Sequence, residues 1–208
     1  MTFVKICGIT NLPDALAAIE AGADALGFNF YPSSPRYIAP QIAREIVDHL
    51  PDGILKVGVF VNEKSPELLR QIVNETGMGA VQLHGDESPE YCRALTDQYV
   101  IKALAVGNNF NEQQALDYDV RAIMLDAKSP HLRGGTGQVI DWSIAQKVSR
   151  LVPKLFLAGG LSPDNVQQAI ASVNPYAVDA CSALEDVPGK KNHKLLRAFI
   201  KSVRDVKP

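Results

Sequence analysis

Short runs of apolar, mostly β-branched residues alternate along the whole chain with longer stretches of amphipathic, helix-like spacing. Such alternation is typical of parallel strands joined by crossover helices. The pattern predicts eight strands, at residues 3–7, 25–30, 55–61, 80–84, 100–104, 122–126, 155–158 and 177–181. It predicts clear helices at residues 13–21, 40–49, 66–76 and 192–203, and weaker ones at 89–95 and 111–118.

Local signals support this order of elements. Ser65 and Ser88 each precede a proline, so a capping hydroxyl stands before a residue suited to the first helical turn. The doubly wound open sheet is the alternative, but no Gly-x-Gly-x-x-Gly follows the first strand and no long central crossover interrupts the units. We therefore expect a single-domain α/β protein, a (β/α)8 TIM barrel over residues 1–208.

Composition narrows the possible partners and the cellular location. With 21 Lys and Arg against 23 Asp and Glu, the net charge is −2. The chain therefore lacks the excess of basic residues that is typical of proteins that bind nucleic acid or an anionic membrane. The chain shows no signal-peptide pattern and no apolar run of membrane-spanning length. Cys7, Cys92 and Cys181 are widely spaced and fit neither a disulfide framework nor a zinc site. We expect a reduced, cytoplasmic protein that binds neither nucleic acid nor membrane.

Strand alternation gathers polar side chains at one end of the expected barrel. Side chains point to opposite faces in turn, so Lys5 and Cys7 face inward while Val4 and Ile6 face the helices. The same parity turns His84 and Asp126 inward, and we expect these two to converge with Cys7 at the carboxyl ends of the strands, where barrel active sites lie. Taken singly, the cysteine could be a small buried apolar residue and the aspartate a loop cap.

Two loops near the end of the chain favour a phosphate site. Gly159 and Gly160 follow the seventh strand and Ser182 and Ala183 follow the eighth, and these loops commonly bind phosphate in TIM barrels. Glycine permits close approach of the backbone, whose N–H groups then bind the anion. A plain turn is the alternative for the two glycines. Residues 134–137, Gly-Gly-Thr-Gly, are interpreted as a mobile lid, with an unconstrained surface loop as the alternative.

The chain resembles the phosphoribosylanthranilate isomerase family from end to end, in the order and spacing of its motifs. These are residues 5–10, 27–30, 33–38, 57–62, 81–87, 125–126, 134–137, 157–161, 165–166 and 178–179. It departs at residues 181–185, Cys-Ser-Ala-Leu-Glu, where the family usually has Ser-Ser-Gly-Val-Glu. It also has Asn192 where the family usually has Asp. Alanine at 183 keeps the backbone N–H but restricts φ, and asparagine still caps a helix.

The resemblance implies a reaction of tryptophan biosynthesis. In this Amadori rearrangement the ribose ring of N-(5'-phosphoribosyl)anthranilate opens, the C2' proton is removed, and an enol tautomerises to the aminoketone 1-(2-carboxyphenylamino)-1-deoxyribulose 5-phosphate. An acid and a base suffice, without cofactor or metal. The resemblance implies Asp126 as the general acid on the ring oxygen and Cys7 as the general base.

Other residues are given roles that fit this reaction. Arg36 is expected to bind the anthranilate carboxylate, with a solvated surface arginine as the alternative. His84 and Asp179 are expected to face or support the substrate. Lys5 either helps to ionise Cys7 or forms an ion pair inside the barrel with Asp179. We interpret the basic run Lys190, Lys191, His193, Lys194 and Arg197 as a solvated face.

Three other functions compete with this interpretation. A magnesium-dependent transferase similar to thiamine-phosphate synthase would need paired acidic residues at the strand ends, which the sequence lacks. A Schiff-base aldolase would use Lys5, Lys56 or Lys102, none of which has a supporting motif. A non-catalytic phosphosugar-binding barrel would keep the glycines but would not need Cys7 and Asp126. The sequence leaves a monomer and a homodimer open.

Overall fold

The barrel predicted from the sequence is present in the computed structural model, which describes residues 1–107, 109–127 and 140–206. Eight parallel strands close into a ring in chain order, with β1 paired to both β2 and β8. They are β1 Phe3–Cys7, β2 Ala25–Asn29, β3 Leu55–Phe60, β4 Ala80–Leu83, β5 Val100–Val106, β6 Ala122–Ala127, β7 Leu155–Leu157 and β8 Ala177–Ala180. The predicted (β/α)8 fold class is thereby confirmed.

Helices follow the strands and surround the barrel. The α-helices are α1 Leu12–Ala21, α2 Pro40–Val47, α3 Pro66–Thr76, α4 Pro89–Arg93, α5 Trp142–Ser149, α6 Val166–Val173 and α7 His193–Arg204. Ser65 and Ser88 cap α3 and α4 by accepting hydrogen bonds from Leu68 N–H and Tyr91 N–H, as predicted. The weak pattern at 111–118 forms a 3-10 helix, Glu112–Asp117. None of the described helices is both long and apolar enough to cross a bilayer.

Some boundaries and elements differ from the sequence prediction. Five predicted strands run one residue too far, because side-chain alternation continues past the last interstrand hydrogen bond; His84 and Cys181 lie just beyond their strands. The sequence patterns did not predict α5 and α6. They also missed a hairpin after β8, formed by β9 Glu185–Val187 and β10 Lys190–Lys191.

Two apolar layers fix which side chains reach the barrel interior. Val4, Ile6 and the alternate residues of the other strands pack outward against the helices. The barrel interior is filled by a second cluster of side chains, including Ala25, Ala80 and Met124, which alternate along the strands with the outward-facing residues. The predicted strand parity is therefore correct, and Lys5 and Cys7 on β1 face inward with the remaining inner positions.

Two lysines are buried inside the barrel wall as ion pairs. Lys5 Nζ lies 2.8 Å from Asp179 Oδ1, joining β1 to β8. Lys102 Nζ lies 2.6 Å from Glu87 Oε2 and also donates to the carbonyl of Gly85. An isolated buried charge is costly, and each pairing offsets part of that cost.

Candidate active site

Cys7 is the last residue of β1 and is only 9 % exposed. On one side its strand partner is Gly27 of β2. A Cβ atom at position 27 would lie 2.7 Å from Cys7 Sγ and 3.0 Å from Lys5 Nζ. Only glycine therefore leaves room for the thiol and the ammonium to lie side by side over β2.

On its other side Cys7 meets Cys181. The β1–β8 register pairs Lys5 with Asp179 and Ile6 with Ala180, so Cys181 comes next to Cys7. The hydrogen bond with Cys181 is the largest influence that lowers the pKa of Cys7; burial opposes it, and the charges of Lys5 and Lys191 lower it further. The net pKa of Cys7 is well below that of an ordinary thiol. The same hydrogen bond, with burial, raises the pKa of Cys181, so Cys7 is the thiolate of the pair.

Asp126 lies near the end of β6 and contacts His84 directly. Its Oδ2 atom is 3.1 Å from His84 Nε2, and its Oδ1 atom accepts a hydrogen bond from Ala127 N–H at 2.8 Å. The other ring nitrogen, His84 Nδ1, lies 2.7 Å from the amide nitrogen of Gln82. The structure thus brings together the β4 and β6 members of the predicted constellation and adds Gln82, an inward residue of β4.

The pKa of Asp179 responds to the charges of both Cys7 and Asp126. Burial raises its pKa to about 6 although the Lys5 ammonium attracts the charged form, and the charges of Cys7 and Asp126 raise it further. Burial lowers the pKa of Lys5, but Asp179 and Cys7 outweigh it, so the net pKa of Lys5 is above its ordinary value. Both sequence interpretations of Lys5 therefore apply: it pairs with Asp179 and lies beside Cys7.

A small cavity of about 30 Å³ opens beside these groups. Its lining includes both carboxyl-bearing residues and both predicted phosphate loops, namely Asp126, Asp179, Gly159, Gly160, Ser182 and Ala183. Gly159 has φ +81°, and a Cβ there would lie 2.9 Å from the backbone nitrogen of Ala127. Ala183 belongs to a 3-10 turn, Ser182–Leu184, and has no positive φ, so its methyl group causes no backbone strain.

Arg36 lies in the loop after β2 and is 11 % exposed, so the alternative of a solvated surface arginine is wrong. Its Nε and Nη2 atoms donate to the Glu185 carboxylate at 2.7–3.0 Å. A Cβ on Gly8 would lie 2.8 Å from Arg36 Cδ and 2.9 Å from Cys181 Sγ. Arg36 therefore borders the thiol pair.

The interpretation of residues 190–197 as a solvated basic face is wrong for Lys191. This side chain is buried because the β9–β10 hairpin folds back over the end of β8. Its Nζ donates to Glu185 Oε1 at 2.9 Å and to the Cys181 carbonyl at 3.2 Å. Sequence reasoning missed Glu185 and Lys191 as site residues. The glycine turn between them at Gly189, with φ +84°, is the local signal that the chain reverses there.

Several alternatives fit this geometry less well. Lys5 and Lys102 are buried in ion pairs, whereas a Schiff-base lysine must present a neutral, accessible amine. Within the described ranges, no three His, Cys, Asp or Glu side chains are grouped to hold a metal ion. A larger cavity, about 510 Å³, lies at the opposite end of the barrel near Tyr99, Arg121 and Lys154, away from the acid and base. The predicted lid, residues 134–137, lies outside the described residues.

A cysteine of lowered pKa, a carboxyl group paired with a histidine, and a glycine-lined cavity at the carboxyl ends of a closed barrel are typical of one class of protein, the TIM-barrel enzymes that act on phosphorylated substrates. The comparisons with known proteins identify the family within that class. The model of the family described as N-(5'phosphoribosyl)anthranilate (PRA) isomerase matches residues 4–202. The chain belongs to this family.

Individual relatives match over nearly their whole length. The N-(5'-phosphoribosyl)anthranilate isomerase of Trichlorobacter lovleyi is 47 % identical over 205 residues, 99 % of each chain. A crystal structure of the phosphoribosyl anthranilate isomerase from Thermotoga maritima is 46 % identical, with a TM-score of 0.92 over 98 % of this chain and 99 % of that one. Another structure of such an isomerase, in complex with reduced 1-(o-carboxyphenylamino)-1-deoxyribulose 5-phosphate, has a TM-score of 0.88 at 45 % identity over the same shares.

Proposed function

We propose that the protein is the isomerase that converts N-(5'-phosphoribosyl)anthranilate into 1-(2-carboxyphenylamino)-1-deoxyribulose 5-phosphate in tryptophan biosynthesis. The family membership supports the reaction. The observation that carries it in this chain is the position of a buried cysteine, Cys7, at the end of β1 and of a carboxyl group, Asp126, near the end of β6, on the same rim of the barrel. An Amadori rearrangement needs one group to give a proton and one to take a proton, and no redox partner.

Asp126 gives its proton to the ribose ring oxygen, which opens the ring. His84 positions this carboxyl: the Gln82 amide N–H donates to Nδ1, so the ring proton is on Nε2 and is donated to Asp126 Oδ2. Cys7 then takes the C2' proton, and the resulting enol tautomerises to the aminoketone. The neighbouring Lys5 and Lys191 ammonium groups favour the thiolate that this step requires.

The substrate is held at its two charged ends. The phosphate lies between Gly159–Gly160 and Ser182–Ala183, where backbone N–H groups donate to its oxygens. The anthranilate carboxylate faces Arg36. Glu185 occupies Nε and Nη2 of this guanidinium and leaves Nη1 for the substrate, and Asp179 lines the space between the two ends.

Variants of the two reacting groups test the proposal. Cys7→Ser should abolish turnover, because an alcohol of much higher pKa cannot take the C2' proton although it fills nearly the same space. Asp126→Asn should lower kcat by about 10²- to 10⁴-fold, the usual contribution of a general acid. The assay follows loss of the substrate's anthranilate fluorescence, with and without a chelator. Cys92→Ser, at a buried cysteine of the outer layer, is the matched control and should retain turnover.

Retained wild-type turnover in Cys7→Ser would make this cysteine structural and contradict the proposal. A drop of only a few fold in Asp126→Asn would contradict the assignment of the acid. Loss of activity on chelation would instead favour the magnesium-dependent transferase.

The same proposal covers the remaining properties of the protein. We propose that residues 1–208 act as one domain in the cytoplasm, as a monomer or homodimer, on a small phosphosugar substrate. A Thermotoga maritima relative is described as dimeric. Light scattering on the purified protein distinguishes the two oligomeric states.

A further inference from the structure

Two of the three cysteines lie at matching positions of neighbouring strands. The β1–β8 register, with Ile6 paired to Ala180, puts Cys7 beside Cys181 with both side chains on the inner face. Neighbouring strands run about 4.8 Å apart, within the reach of a disulfide, whose Cα atoms are usually about 4.4–6.8 Å apart. The Cys181 thiol lies 3.8 Å from Glu185 Oε1 and 3.8 Å from Lys191 Nζ, and a Cβ on Gly8, the residue after Cys7, would lie 2.9 Å from Cys181 Sγ. The separation of the two backbones is therefore within the range that a disulfide can span.

The two sulfur atoms differ in reactivity. Lys5 on β1, Lys191 on β10 and Arg36 in the loop after β2 are the cations that surround the pair, while Asp179 and Glu185 are the facing acids. Cys7 is the thiolate and thus the nucleophile, and Cys181 keeps its proton as a neighbouring thiol. Cys181 is half-buried and lines the cavity, so a small molecule that enters the site meets this thiol, with Cys7, 9 % exposed, on the neighbouring strand.

We propose that Cys7 and Cys181 form a site of reversible oxidation at which a peroxide converts the two thiols into a disulfide and switches the enzyme off. The inference rests on the proposed function only in that it takes Cys7 as the base. A thiolate consumed in a disulfide cannot accept the C2' proton, so the bridged enzyme is inactive. The bridge also protects the base, because a disulfide returns to thiols on reduction whereas a sulfinic acid does not.

The chemistry balances in two steps. The Cys7 thiolate attacks one peroxide oxygen; an S–O bond forms, the O–O bond breaks, and the departing hydroxide takes a proton to become water. Cys181 sulfur then attacks Cys7 sulfur; the S–S bond forms, the S–O bond breaks, and hydroxide leaves with the Cys181 proton as a second water. Two thiols are oxidised by two electrons and one hydrogen peroxide is reduced to two waters.

The third cysteine provides an internal control. Cys92 lies on α4 and is buried in the outer apolar layer, away from the site. Burial raises its pKa to about 11, so it remains a thiol and reacts slowly with peroxide. Oxidation of this protein should therefore leave Cys92 unchanged.

The test treats the wild-type enzyme, Cys181→Ser and Cys92→Ser with hydrogen peroxide. Each activity is compared with that of the same untreated variant, before and after addition of dithiothreitol, and non-reducing peptide mass spectrometry identifies the bridge. Wild type and Cys92→Ser should lose nearly all activity, yield a Cys7–Cys181 peptide pair, and regain activity on reduction. Cys181→Ser should lose activity without a bridge and, after prolonged treatment, regain little of it, because Cys7 proceeds to the sulfinic acid.

Two results would overturn the inference. If oxidised wild type contains no Cys7–Cys181 peptide, and Cys7 becomes sulfinic acid as fast as in Cys181→Ser, the oxidation site is refuted and the proposed function is untouched. If the bridge is complete and turnover persists, Cys7 is not the base, and the proposed mechanism falls together with the switch. Should Cys181→Ser fail to fold, the mapped bridge and the recovery of wild type and Cys92→Ser still decide the question.

Discussion

Replacing Arg36 by methionine should separate substrate recognition from the chemistry. Methionine keeps an apolar stem but removes the guanidinium that we propose binds the anthranilate carboxylate. The fold should tolerate the change, because Glu185 keeps Lys191 Nζ at 2.9 Å and the Gly189 N–H at 3.4 Å as partners. Glu185 therefore does not become an unpaired buried charge.

The magnitude follows from the donors that remain for the substrate. Glu185 already takes Nε and Nη2, so the substrate carboxylate gains one charge-assisted contact rather than a bidentate pair. Such a contact contributes about 1.5–3 kcal/mol, which is about 10- to 150-fold in kcat/KM. Most of this loss should be a higher KM, because the guanidinium binds the carboxylate equally in the ground and transition states.

The assay compares two substrates and two variants. An analogue with aniline in place of anthranilate lacks the carboxylate and should be nearly indifferent to Arg36→Met. Arg44→Met removes an exposed arginine paired only along its helix with Asp48, and should leave both substrates unaffected. Equal losses for the two substrates in Arg36→Met would show that the loop, not the ion pair, was disturbed, and would refute the role of Arg36.

Three further predictions concern stability, phosphate binding and the thiolate. Lys102→Met leaves Glu87 buried without its cation and should lower the free energy of unfolding by about 3–5 kcal/mol in urea titrations. Arg93→Met removes one partner of an exposed ion pair and should have no measurable effect, so equal losses in the two variants would contradict the importance of the buried pair. Gly159→Ala should weaken competitive inhibition by inorganic phosphate, because φ +81° costs alanine about 1–2 kcal/mol and its Cβ would contact the Ala127 backbone nitrogen. Ala183→Gly should change the inhibition constant by no more than a few fold, and an unchanged inhibition constant in Gly159→Ala would refute the phosphate placement. A lowered pKa means that the Cys7 thiolate persists to lower pH, so the rate of its alkylation by iodoacetamide should have a midpoint at a pH below about 8.5, the pKa of an ordinary thiol. Cys92 should not react in this pH range, and a midpoint near 8.5 for Cys7 would contradict the thiolate assignment.

Positions along strands were predictable from the sequence, and so were the residues at their ends. Apolar alternation placed β1, β4 and β6, and parity then turned Cys7, His84 and Asp126 inward without any knowledge of the helices. The helices α5 and α6 were not predicted because, unlike the equally short α2, they have no proline in the first turn to mark where they begin. Such short helices are fixed by packing against the barrel rather than by their own pattern.

The burial of charged residues was not predictable in the same way. The basic run around Lys191 predicts a solvent-exposed side chain. In the structure Lys191 is buried, because its ammonium donates hydrogen bonds to Glu185 and to the Cys181 carbonyl. Likewise, the sequence predicted Arg36 as a site residue, but it did not predict the ion pair of its guanidinium with Glu185, which lies 149 positions further along the chain. Local patterns specify faces of elements, whereas the partners of buried charges depend on contacts made when the barrel closes.

That closure has a consequence for how the enzyme becomes active after synthesis. The surroundings of Cys7 come from both ends of the chain: Lys5 meets Asp179 across 174 positions, and the backbone N–H of Lys191 donates to Asp14, near the start of α1, across 177. Contacts of such separation are among the slowest to form, because a long loop must close first. A nascent chain on the ribosome can therefore fold its early units while Cys7 still lacks Asp179, Cys181 and Lys191. Recovery of isomerase activity during refolding should consequently report the joining of β1 to β8, whereas circular dichroism reports the helices that precede it.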